Sequence, residues 1–144
     1  MTESQLMDLT ARRISAAASR EGALEDVAVG FQLVERASHS LGSVDLATRP
    51  LYVEAELAAA SGCHALSAAA GPRRRRMVQL DAVEPDARPG ESGALHRSTS
   101  DLIDAMYRWL ADAVDDPVNT ADEFLAVTDA LLAAGRLESM FRPD

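Results

Sequence analysis

The stretch Ala23-Leu24-Glu25-Asp26-Val27-Ala28-Val29-Gly30-Phe31-Gln32-Leu33-Val34-Glu35-Arg36-Ala37-Ser38-His39-Ser40-Leu41 decides the fold class. Leu24, Val27, Phe31, Val34, Ser38 and Leu41 recur at alternating spacings of three and four over five turns. That period places them on one stripe of an α-helix, and such a stripe has to be covered by neighbours. Gly42 is expected to end this helix, with 43–48 as a connection. On the other side, Gly22 offers a stop for a first helix capped by Thr2 or Ser4 and carrying Met7, Ala11, Ile14 and Ala18.

Further along, Pro50 stands where a first helical turn tolerates a missing N–H. A third helix is expected from Pro50 to Ala70, with Leu51, Ala55, Ala58, Gly62, Ala65 and Ala69 on one side. Val53, Leu57, Ala60 and His64 lie on another side, and small residues on two faces predict a central helix touched closely by several others. Gly71-Pro72 closes it, because proline cannot continue a helix. Ser98-Thr99-Ser100-Asp101 reads as the cap of a fourth helix through Leu102, Met106, Trp109, Leu110 and Ala113. Thr120-Ala121-Asp122-Glu123 is a capping box for a fifth, with Phe124, Val127, Leu131 and Ala134 as its apolar face and Gly135 as a possible end. The expectation is an all-α, antiparallel bundle of four to five helices in a single domain over 1–144. A long irregular crossover, 71–97, joins helices 3 and 4.

Composition agrees. The 144 residues are 47% hydrophobic but only 4% aromatic, with alanine dominating, which suits closely packed helices. All 14 basic residues are arginine, a bias a GC-rich genome produces as readily as selection does. Without lysine there is no Schiff-base chemistry and no phosphate loop of the Gly-Lys-Ser/Thr type. The single cysteine, Cys63, rules out an intramolecular disulfide and any multi-thiolate metal centre within one chain, and suits a reducing cytoplasm. The N-terminus lacks the basic and apolar regions of a secretion signal, and no run is long and apolar enough to span a bilayer. A cytoplasmic protein with no membrane contact is expected.

Charge is distributed unevenly along the net −9: residues 1–70 carry −4, residues 71–100 carry +2 and residues 101–144 carry −7. The basic middle centres on Arg73, Arg74, Arg75 and Arg76. Four guanidinium groups can neutralise phosphates, but the acidic remainder repels a duplex, so the first-choice counter-ions are the protein's own carboxylates or a partner's. Nucleic-acid contact is the second alternative. A helix-turn-helix over Ile14–Phe31 is disfavoured by Glu25 and Asp26 near the phosphates.

Glu35 and His39, four apart, and His64 on the neighbouring helix are the candidate metal ligands, but the Glu-x-x-His pairs of di-iron bundles do not occur. Structural histidines are the commoner outcome, so neither metal nor cofactor is expected. Cys63 and His64 adjoin on a helix and so do not face each other as nucleophile and base. No nucleophile elbow or dinucleotide glycine pattern is present. The reading that follows is a non-enzymatic helical interaction or regulatory protein, self-associating as a homodimer or held by a protein partner. Its candidate contacts are Arg73–Arg76 and the apolar tail Leu137, Met140 and Phe141, which must fold back on the core or meet another subunit. The alternative is a small-molecule pocket beside the alanine-rich third helix, lined by Cys63, His64, Tyr107 or Trp109, in a bundle that could be catalytic.

Overall fold

The computed structural model describes residues 1–70 and 92–142, and the arginine run Arg73–Arg76 lies outside them. The described residues form an all-α bundle of five helices: α1 (Glu3–Ser15), α2 (Arg20–Val44), α3 (Arg49–Ala70), α4 (Ser92–Val114) and α5 (Ala121–Phe141). Neighbour relations close a ring in the order α1, α2, α3, α5, α4 and back to α1, with α2 and α4 also meeting across the middle.

Local chemistry sets the helix ends. Thr2 caps α1 through a reciprocal box: its hydroxyl accepts from the Gln5 N–H at 3.2 Å, and the Gln5 side chain accepts from the Thr2 N–H at 3.0 Å. α1 stops at Ser15 rather than at Gly22, because Ser19 caps α2 by accepting from the Gly22 N–H, which draws Gly22 into the next helix. Thr120 caps α5 in the same way, through the Glu123 N–H.

Two further expected boundaries move, the α2 end at Gly42 and the α4 start at Ser98, while Gly135, a possible end or merely a weak point of α5, lies inside the helix. α2 runs through Gly42 to Val44, and Gly42 instead lets the Tyr52 Cβ approach to 3.0 Å of where a Cβ would stand. α5 continues through Gly135 to Phe141, because Leu137 and Phe141 extend the buried row of Val127, Ala130 and Ala134. α4 begins at Ser92, six residues before the Ser98 box. Ser98 and Thr99 are buried inside it, and the Thr99 hydroxyl donates to the Leu95 carbonyl at 2.7 Å instead of capping an N–H.

α3 is a rim helix rather than a central one. Among the described residues it packs chiefly on α2 and α5, and its second apolar row, Val53 and Leu57, faces solvent at 45% and 66% exposure. The inner row supplies the close approach its alanines imply: Ala55, Ala58, Ala59 and Gly62 are buried, and the Phe31 ring fills the space a Gly62 side chain would take. Met106 uses Gly30 likewise. The core of Phe31, Leu33, Val34, Leu102, Ile103, Met106, Leu110 and Leu137 is enclosed by these contacts.

Two polar contacts fix the ends of the bundle. Glu3, 1% exposed, pairs through Oε1 with Arg36 Nε at 2.7 Å, joining the start of α1 to the middle of α2. Arg20, at the start of α2, donates to Asp116 at 3.0 Å, to Glu123 at 3.2 Å and to the Asn119 side-chain oxygen. Asn119 in turn donates to the Ala113 and Val114 carbonyls at the end of α4. One arginine thereby ties α2 to the α4–α5 connection.

Candidate functional site

α3 and α5 leave a groove of about 760 Å³ along one side of the bundle. Its floor is small: Ala58, Ser61, Ala65 and Ala68 from α3, with Ala126 and Ala133 from α5. Its rims are mixed, with His64 on α3 and Asp122, Leu125, Asp129, Leu132 and Arg136 on α5.

The apolar part of this rim is conspicuous. Leu125 and Leu132 are 60% and 65% exposed, and Leu57, one position before Ala58, is a third exposed leucine, on α3. Three solvated leucines forgo about 1.5–3 kcal/mol each that burial would supply. Leu125 and Leu132 together beside the groove's alanines make the pattern of a contact surface rather than of scattered surface residues.

α5 presents this face because its core stripe departs from the expected one at Phe124 and is broadened by alanines. Val127 and Ala134 are buried and Leu131 packs partly buried against the core, as expected, but Phe124 is 47% exposed, and Ala126, Ala130, Ala133, Leu137 and Phe141 complete the buried row. Sequence reasoning missed Leu125 and Leu132 for that reason. The signal was there as a second row: Leu125 and Leu132 lie seven apart, as do Asp122, Asp129 and Arg136. At helical pitch these rows are adjacent stripes.

Of the residues proposed for a ligand pocket, the groove contains His64 alone. Cys63 turns toward α2, where burial raises its thiol above the ordinary value, against the lowering hydrogen bond to Ser67 and with the Glu35 charge adding to the rise. The thiol is therefore protonated at neutral pH and a poor nucleophile. Trp109 is partly buried against the core, and Tyr107 is exposed on α4 near Gly135 of α5. Cys63, Tyr107 and Trp109 do not line this groove with His64.

The metal candidates are also apart. His39 Nδ1 lies 3.4 Å from Glu56 Oε1 across α2 and α3, and Glu35 is on the same side, its carboxyl raised by burial and by the Glu56 charge. His64 belongs to the α5 side of α3. Among the described residues no group of three or more histidine, cysteine or carboxylate side chains converges on a point. The third histidine, His96, packs beside Phe141 with ring centroids 5.1 Å apart.

The tail proposed as a partner contact folds onto its own chain. Phe141 is 2% exposed, with the Tyr52 ring centroid 6.0 Å from its own, and Met140 packs partly buried against the core. No helix among the described residues is long and apolar enough to cross a membrane. Comparison of the chain with protein-family models, with curated proteins and with solved structures gave no match.

Proposed function

We propose that this protein is a non-enzymatic helical interaction protein that self-associates through the α3–α5 face. The observation that carries the proposal is the pair of exposed leucines, Leu125 and Leu132, lining a groove rich in alanine. A face of that composition gains free energy by covering itself, and small side chains let another helix approach closely. The charged row of Asp122, Asp129 and Arg136 runs between the leucines and the alanines of α5, where it can set the register of a partner helix.

Sedimentation or light scattering of the full chain across a range of concentrations tests this. The expected outcome is a concentration-dependent dimer that Leu125→Glu with Leu132→Glu converts to monomer. A strict monomer at the highest concentration, or a dimer indifferent to these changes, overturns it.

A second reading has one specific observation in its favour. At about 760 Å³ the groove is in the size range of ligand sites, and His64, Asp129 and Arg136 offer both charges beside apolar walls. Thermal-shift screening against small amphipathic molecules distinguishes it: stabilisation lost in His64→Ala, in a chain that stays monomeric, favours the ligand reading.

A further inference from the structure

We propose that the partner on this face is a second copy of the same chain, with the two α5 helices packed antiparallel about a two-fold axis at Asp129. The inference rests on the self-association reading above and specifies its geometry.

The argument starts from the order of residues on the exposed side of α5. Asp122, Asp129 and Arg136 form one row at intervals of seven, flanked by Leu125 and Leu132 on one side and by Ala126 and Ala133 on the other. A two-fold axis between antiparallel helices brings together residues equally far before and after it, and keeps each flank facing the same flank of the other copy. Placed at Asp129, it sets Asp122 of each copy against Arg136 of the other. The same placement brings Leu125 to within one residue, about 1.5 Å along the axis, of Leu132 of the other copy, and Ala126 as near to Ala133. One register thus satisfies charge, bulk and close approach together, and by symmetry each pairing occurs twice.

Other arrangements lose at least one of these matches. A parallel pair sets Asp122 against Asp122 and Arg136 against Arg136, so that like charges meet at both ends. Sliding the antiparallel pair by one turn separates Leu125 from Leu132. The alanine flank lies toward α3, whose own Ala58, Ser61, Ala65 and Ala68 leave space beside α5 for the incoming helix. None of the ion pairs among the described residues engages Asp122, Asp129 or Arg136, so pairing across the axis breaks no contact of that kind.

The axis imposes one unfavourable meeting, Asp129 with its own copy. That predicts a tighter dimer when this charge is removed, which no general stickiness of the leucines would give.

The test is a charge exchange read by sedimentation equilibrium on the full chain. Asp122→Arg and Arg136→Asp should each raise the dimer dissociation constant about tenfold or more, and the double variant should return it close to that of the parent. Asp129→Asn should lower it by about threefold. Asp122 lies in the first turn of α5, where a cation opposes the helix dipole, so helicity of each variant is checked by circular dichroism and Arg136→Asp serves as the variant free of that effect. With Cys63→Ser as background, Asp129→Cys should form an intermolecular disulfide under mild oxidation. Ser139→Cys should not, since its two copies would lie about 30 Å apart along the helices.

A dimer insensitive to the single charge changes, a double variant that does not recover, or cross-linking through position 139 would overturn this register while leaving self-association standing. A strict monomer, or a groove filled by a small molecule or a different protein in a monomeric chain, would overturn both.

Discussion

Gly62 carries more of the fold than its size suggests. A methyl group there would overlap the Phe31 ring, which is itself fully buried and cannot swing into solvent. Gly62→Ala is therefore expected to cost about 1–3 kcal/mol in chemical denaturation, as overpacking does. Gly135→Ala should go the other way, stabilising by about 0.5–1 kcal/mol, because Tyr107 at 3.6 Å leaves ordinary room for a Cβ and alanine favours the helix. At Cys63 the raised thiol predicts slow chemistry. Its reaction with a disulfide reagent in the native protein at neutral pH should be well below that of the unfolded chain, and equal rates would show that burial does not hold the proton.

Between elements, two polar contacts make opposite demands on pH. Asp116 is held below the ordinary carboxylate value, first by the Val118 N–H and then by Arg20. A lowered folded value stabilises the native state above the unfolded value and loses that contribution as pH falls through the folded one. Arg20→Ala should thus lower Tm by a few degrees near neutrality and flatten the acid limb of the stability profile, both read by thermal unfolding across pH. Glu35 runs the other way. Its raised value, from burial and then Glu56, means that the native state prefers the protonated acid. Stability from this group is greatest below the unfolded value and declines as pH rises through the folded one, so Glu35→Gln should remove that decline. The element boundaries follow the same logic of burial over local signal. Thr2 and Thr120 were legible as caps because a hydroxyl followed by a Gln or Glu three residues on satisfies orphan N–H groups without tertiary help. Ser98 carried a similar local pattern and became a buried mid-helix residue, since Leu95 and Thr99 continue the face of Leu102 toward the core.

For the whole molecule, the exposed α5 leucines couple folding to assembly. If burial of Leu125 and Leu132 occurs only between copies, Tm should rise with protein concentration, as mass action requires. The Leu125→Glu, Leu132→Glu chain should keep the helicity and low-concentration Tm of the parent while losing that dependence. A variant that unfolds at all concentrations would place these leucines in the monomer's own core instead.

The α2 stripe, the alanine-rich third helix and the capping threonines were sufficient to determine an all-α bundle, because a periodicity of 3.6 and an orphan N–H are properties of a segment by itself. The acidic character of the last two helices and the absence of lysine chemistry were fixed in the same way. Tertiary structure decided which of two apolar rows on α5 faces inward, and with it that Leu125 and Leu132 are left outside. It decided too that Cys63 and His64 serve different sides of α3, and that Phe141 is enclosed by its own chain. These are outcomes of competition between surfaces for the same neighbours. A single helix carries the competing rows, and only the packed bundle selects between them.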